Sequence, residues 1–399
     1  MSEHLTLPAA LSPATPADHP SAASSLPVKA RKVSVDVLRG VTVAFMILVN
    51  TAGDGRASYA QLRHSAWNGC TLTDLVFPTF LFLMGVSMTF TTSSSHTPKE
   101  ARSRFLKATR RSATLILIGL VLNALPFFHL TTLRYCGVMQ RIGITYWLAF
   151  VAILLFDSFG LMALCAVLLL GYWGLMTLVP VPGFNGNGLA LGILNPMGNL
   201  ASAFDRLVLP RQHLYHQSFY DPEGLLSTLP ALASVLLGLF AGKLLRQQKP
   251  HSHLVRMAVT GASLTLIGLA WSPFFPVNKR MWTSSYVLLA AGIDFLLLAL
   301  LSFYLDKPTQ PNDQRPLLTP WLAFGSNALA AYVFSEVLAI AIGAIPISGG
   351  VSLQHYSFLL IPLWAGSPAL RSLEWSLAFT FVCFLPVFAL YRKKILIKL

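Results

Sequence analysis

Charge is what this sequence has least of. Asp, Glu, Lys and Arg make up only 11% of its 399 residues, where an ordinary soluble domain carries about 25%. So few charges cannot cover a globular surface of this size, which excludes a soluble chain and leaves the bilayer as solvent. The 15 acidic residues are outnumbered by 29 basic ones, for a net charge of +14. That excess does not indicate nucleic acid, because the Lys and Arg residues sit at the ends of hydrophobic runs, as cytoplasmic loop charges do. The four cysteines, Cys70, Cys136, Cys165 and Cys383, contain no Cys-x-x-Cys pair, so neither a disulfide framework nor a zinc ribbon is supported. A Walker A loop and a Gly-x-Gly-x-x-Gly at a strand end are both missing, as is zinc-ligand spacing.

What the chain does have is apolar length. Hydrophobic residues make up 54% of it, and its mean hydropathy is +0.62. The apolar runs are roughly 17–25 residues long without strict alternation, which selects helices over a β-barrel. The expected fold is an all-α polytopic bundle of about ten spans, near 35–53, 74–92, 112–129, 141–156, 160–180, 224–245, 254–272, 283–305, 320–344 and 373–391. With the N-terminus inside, most basic residues fall on the inner side, so both termini are predicted to be cytoplasmic. Residues 1–28, rich in Pro, Ala and Ser, read as a disordered cytoplasmic tail, and 29–399 as one transmembrane domain. Two outer loops are long, at 181–222 and 345–372, and the second is apolar and Gly-rich enough to dip back into the membrane.

The densest polar cluster comprises Asn50, Asp54, Arg56, Arg63, His64, Trp67, Asn68 and Asp74, and it links the outer ends of the first two spans. Charged groups at membrane depth cost roughly 2.5–3.5 kcal/mol each, so they tend to face cavities and mark function. With a reference pKa near 6.5, the His64 imidazole can act as base or nucleophile. Asp74 or Asp54 can orient its second nitrogen, and Asn50 and Asn68 can donate to an oxyanion. The plainer reading is a loop histidine hydrogen-bonded at the interface.

Other polar residues carry two readings each. Asp36 and Arg39 are either a helix-end charge with its i+3 partner or an inner vestibule for a phosphate-bearing ligand. Arg134, Arg141 and Lys279 are either interface anchors or contacts for a substrate. Asp294 and Glu336 lie inside apolar runs and are expected to be paired or cavity-facing. His213 and His216 are three apart without a third ligand in view, so no metal is expected.

The ordered stretches Ser34-Val35-Asp36-Val37-Leu38-Arg39-Gly40, Leu48-Val49-Asn50, His64-Ser65-Ala66-Trp67-Asn68-Gly69, Asp74-Leu75-Val76-Phe77-Pro78, Gly137-Val138-Met139-Gln140-Arg141, Tyr220-Asp221-Pro222-Glu223-Gly224 and Pro276-Val277-Asn278-Lys279 carry a resemblance. The chain resembles the catalytic membrane domain of the heparan-α-glucosaminide N-acetyltransferase family, from about residue 31 to its end. The resemblance implies acetyl transfer from cytoplasmic acetyl-CoA, across the membrane, to the amino group of a terminal glucosamine. His64 matches the family's active-site histidine, with Asn50 and Asp74 beside it as the catalytic set. Asp36, Arg39, Trp67, Asn68 and Arg141 are the expected coenzyme contacts, and Asp54, Arg134, Lys279 and Glu336 the acceptor contacts. The expected partners are acetyl-CoA, a sugar or glycan acceptor and the lipid bilayer of a bacterial cytoplasmic membrane, with no nucleic acid; a homodimer follows from the resemblance alone. Residues 1–28 are too short and polar to replace the lumenal N-terminal domain of animal members, so no role of that domain is carried over. The competing reading is a proton-coupled transporter or lipid-linked carrier flippase, with Asp294, Glu336 and His64 as a relay.

Overall fold

Apolar runs bounded by capping residues set the helices. In the computed structural model, residues 32–91, 97–182, 189–247, 252–306, 316–347, 350–363 and 366–397 are described; the expected tail at 1–28 lies outside them. The helices are α1 (Val33–Asn50), α2 (Leu72–Thr91), α3 (Pro98–Ala124), α4 (Val138–Leu155), α5 (Ser158–Leu178), α6 (Leu200–Val208), α7 (Thr228–Leu245), α8 (Ser252–Trp271), α9 (Ser284–Leu305), α10 (Thr319–Ser326), α11 (Ala328–Ala344), α12 (Leu353–Leu359) and α13 (Pro368–Arg392). Side chains of Thr97, Asp157, Asn199 and Ser367 accept hydrogen bonds from the first-turn N–H groups of α3, α5, α6 and α13, satisfying donors that a helix start leaves orphaned. Two antiparallel pairs of two-residue strands, 181–182 with 189–190 and 346–347 with 351–352, are the β structure among the described residues.

Eight of the described helices are long and apolar enough to cross a membrane, and a ninth span results if α10 and α11 are counted together. Of the ten expected runs, the one at 112–129 is not among these candidates by composition. The run expected at 112–129 belongs to α3, whose first half carries Lys99, Glu100, Arg102, Arg104, Lys107, Arg110 and Arg111. Its apolar half ends at Asn123, whose side chain donates to the Arg134 and Cys136 carbonyls just before α4. The run at 320–344 is a broken helix, bent 77° between α10 and α11. At the break, the Asn327 side chain donates to the Ile395 carbonyl at 3.1 Å and accepts from the Ile397 N–H at 2.9 Å. The chain end thus folds back to satisfy backbone groups and the bent joint together.

Between helices in lipid, close packing replaces the hydrophobic driving force, so small residues let backbones approach. A Cβ on Gly85 of α2 would enter the Val235 carbonyl of α7, and one on Gly238 of α7 would enter the Phe82 carbonyl of α2. Gly40 of α1 and Gly325 of α10 meet in the same way. The most buried spans, α2 and α7, form the centre of the bundle, while α5, α8 and α13 are mostly open to the surrounding lipid. The loop between α5 and α7 folds α6 inward through its polar side: Asp205 is 1% exposed and accepts from the Leu225 N–H at 2.8 Å.

Candidate active site

The loop from α1 to α2 closes on Asp74, in the first turn of α2. One Asp74 oxygen accepts from the backbone N–H groups of Ser65 and Thr71 and from the Thr71 hydroxyl, all at 3.0 Å. The other lies 2.7 Å from His64 Nδ1. A carboxylate that takes three donors on one oxygen is held as an acceptor, so Nδ1 carries the proton toward it. In the neutral imidazole this leaves His64 Nε2 with its lone pair. Asp74 is buried and His64 is 42% exposed at the side chain, so the imidazole is oriented from behind while its face stays accessible. This is the arrangement by which a carboxylate equips a histidine to act as base or nucleophile.

A second loop, between α8 and α9, clamps the first. The Gly69 N–H donates to the Val277 carbonyl at 2.8 Å, and the Asn278 side-chain amide donates to Asn68 Oδ1 at 3.1 Å. Gly69 has φ of 111°, which favours glycine at this bridge. The clamp brings Lys279 to the same place as His64.

His64 opens into a cavity of about 570 Å³. His64, Asn50, Thr73 and Lys279 line one end; Arg39, Ser87, Thr91, Arg111 and Ser326 line the other; between them the wall is apolar, with Phe77, Phe80, Leu83 and Met84 prominent. Its α2 wall runs from Thr73 to Thr91, roughly 27 Å at 1.5 Å per residue, close to the ~30 Å of a bilayer's hydrocarbon core.

The other expected site residues divide by whether they reach this cavity. Arg39 does: it donates to Asp36 at 2.9 Å, to Ser87 Oγ at 2.8 Å and to the Gly325 carbonyl at 3.3 Å, joining α1, α2 and α10 at the far mouth. Asn50 lines the near end, with Glu336 beside it. Trp67 and Asn68 do not line the cavity; the Trp67 indole donates to the Leu194 carbonyl at 2.7 Å, and Asn68 holds the clamp. Asp54 caps its own turn by accepting from the Arg56 N–H at 2.8 Å, and its backbone N–H donates to Ser372 Oγ at 3.1 Å. Asp294 accepts from Thr79 at 2.5 Å and lies outside the lining, so a relay through it and His64 has no common cavity.

Arg134 and Arg141 instead build a polar cover beside the Lys279 loop. Arg134 bonds Asp221 through two nitrogens, Nε at 2.9 Å, and Glu223 at 2.6 Å. Burial opposes its charge, but the two carboxylates outweigh that and hold Arg134 above its ordinary value. Burial also pushes Glu223 upward, and Arg134, followed by Lys279 and Arg141, offsets this and holds it below the usual carboxylate range. Arg141 is 1% exposed; its Nη2 donates to the Gly224 carbonyl at 3.0 Å and to Ser227 Oγ, and its guanidinium lies over the Trp282 ring. His213 Nδ1 is bonded to the Leu133 carbonyl at 2.7 Å while its ring stacks on Tyr135. Among the described residues, no three His, Cys, Asp or Glu groups converge on a metal position.

Sequence reasoning missed Arg111, Ser87, Thr91, Ser326 and Tyr332. Arg111 stacks over the Tyr146 ring, 4.7 Å from its centroid, and faces the cavity across from Arg39. Its signal was there, as the last charge before α3 turns apolar, but an inner basic residue and a cavity cation look alike in sequence.

The family model described as heparan-alpha-glucosaminide N-acetyltransferase, catalytic, matches residues 31–272. The chain is 32% identical over 366 residues to heparan-alpha-glucosaminide N-acetyltransferase of Homo sapiens, covering 79% of this chain and 54% of that protein. The Mus musculus protein of the same name is 31% identical over 356 residues, 76% of this chain and 53% of its own length. The chain therefore spans about half the length of these curated relatives. His64, Asp74, Asn50, Arg39 and Arg111 lie within the matched stretch, and Lys279 and Glu336 beyond it.

Proposed function

Because the chain belongs to the heparan-alpha-glucosaminide N-acetyltransferase catalytic family, we propose that it is a membrane-embedded acetyltransferase. It moves the acetyl group of cytoplasmic acetyl-CoA to the amino group of an amino sugar, such as a terminal glucosamine, on the opposite side of the membrane. The observation that carries this reading is one cavity with His64, backed by Asp74, at one end and two arginines at the other.

Each end suits one part of the reaction. The nucleotide of acetyl-CoA is too charged for hydrocarbon, so it stays at the Arg39 and Arg111 mouth, where guanidinium groups suit phosphate. The slender arm that carries the thioester threads toward His64. There Nε2 either removes a proton from the attacking amine or attacks the thioester carbonyl itself to form an acetyl-imidazole. Asp74 serves both routes by holding Nδ1 and balancing the imidazolium that forms. Asn50 and Lys279 flank the position where the carbonyl oxygen gains charge, and Glu336, beside Asn50, lies toward the acceptor's ammonium. This reading orients the His64 end outward and both termini inward, in a bacterial cytoplasmic membrane.

Vesicles reconstituted with the chain test it. With acetyl-CoA enclosed on the Arg39 side and a glucosamine-terminated oligosaccharide on the His64 side, acetylated acceptor accumulates outside. His64→Ala lowers the rate by about 10²–10⁴-fold, the usual worth of such a group. Passage of the sugar without acetylation, or full activity in His64→Ala, overturns the proposal.

A further inference from the structure

The reaction proposed above acetylates a primary amine beside His64, and the chain holds one of its own there. Lys279 lines the same cavity end as His64, Asn50 and Thr73. The bond from Gly69 to Val277 and that from Asn278 to Asn68 fix its loop against the His64 loop. The Asp74 carboxylate that orients His64 also acts electrostatically on Lys279. Both nearby carboxylates are committed elsewhere, Asp74 to His64 and Glu223 to Arg134. The Lys279 carbonyl accepts from the Trp282 N–H at 3.1 Å, while its ammonium has no hydrogen bond or close ion pair among the described residues. Burial pulls its ammonium below the ordinary value, with Glu223 and Asp74 opposing. The neutral amine is the nucleophilic form.

Resting on that transferase reading, we infer that Lys279 is a self-acetylation site, modified when acetyl-CoA is present and no outer amine occupies the acceptor end. The ammonium first loses one proton to solvent. Nζ then attacks the thioester carbonyl, a C–N amide bond forms and the C–S bond breaks. The second proton passes from Nζ to His64 Nε2 and on to the departing thiolate, giving acetyl-lysine and CoA thiol. If His64 is acetylated first, the same amide forms from the acetyl-imidazole. The product removes a positive charge from the acceptor end, so prolonged exposure to acetyl-CoA alone slows later turnover.

The test uses the full chain in lipid nanodiscs, incubated with acetyl-CoA and no acceptor, then digested and mapped by mass spectrometry. The expected result is one acetyl group on Lys279, at least tenfold above its level in His64→Ala, while the exposed Lys107 is labelled equally in both proteins. Adding a glucosamine acceptor to wild type suppresses the Lys279 label, a comparison that needs no variant. Equal Lys279 labelling in wild type and His64→Ala shows background chemistry and overturns the inference. So does an unmodified Lys279 in a preparation that acetylates the added amine. If neither Lys279 nor the added amine is acetylated, the transferase reading itself fails, and that outcome is distinct from the previous two.

Discussion

At the scale of single residues, the chemistry rests on which groups are already committed. Asp74 takes three donors on one oxygen and His64 on the other, so His64 keeps one nitrogen free by construction. Arg134, Asp221 and Glu223 are closed on one another and serve the cover that holds the site. Asp205 is the uncompensated member of that cover. Burial first, and the nearby Asp221, push its carboxyl up to about 7, against the lowering effect of the Leu225 N–H and Arg141. In the unfolded chain the carboxyl ionises above the ordinary value of 3.8, while in the folded chain it stays protonated until about pH 7. Its contribution to stability is therefore complete below about pH 4 and is lost as pH rises through 7. Asp205→Asn keeps an acceptor for Leu225 and removes the titration. The variant's thermal midpoint should exceed that of wild type by several degrees at pH 8 and by little at pH 5. An offset that is the same at both pH values would show that Asp205 does not titrate in this way.

At the scale of elements, glycine sets which helices touch. Gly85 and Gly238 leave no room for a Cβ between α2 and α7, whereas Gly171 of α5 has nothing within 4 Å of where one would sit. Gly238→Val should cost at least the roughly 1–3 kcal/mol of an overpacked core, read as a lower melting midpoint or as loss of folded protein in detergent. Gly171→Ala should be neutral or gain up to about 1 kcal/mol from reduced backbone freedom. If the two behave alike, the α2–α7 contact is not what orders the bundle. Helix positions were largely legible in the sequence, because an apolar run of bilayer length has few other solutions. The break at Asn327 was not. Nothing local to 320–344 announces it, since its bonding partners lie 68 and 70 residues away. The bounds expected at 112–129 were off for a similar reason: that apolar stretch is the second half of a longer helix, α3, whose first half is charged.

At the scale of the whole molecule, the site is a path, and a path is the property least visible in sequence. His64 and Asp74 stood out because titratable groups beside hydrocarbon are rare. Arg111 and Tyr332 did not, because nothing in a linear sequence says that α3, α4 and α11 face one cavity with α2. The same limit explains why Arg134 and Asp54 looked like substrate contacts: residue types are visible and partners are not. The path also provides the sharpest test of the reaction's geometry. Met84 lines the apolar wall, far along α2 from the His64 end. Met84→Trp places an indole in the cavity between its two polar ends without touching the His64–Asp74 pair. In vesicles with acetyl-CoA enclosed on the Arg39 side, acetylation of an outer amine should fall at least tenfold. A short acetyl thioester without the nucleotide, added on the His64 side, reaches the imidazole directly and should still be used by the variant at near the wild-type rate. Retention of both activities would mean that the thioester does not travel along α2. Loss of only the first would tie the donor's route to this cavity and the chemistry to its far end.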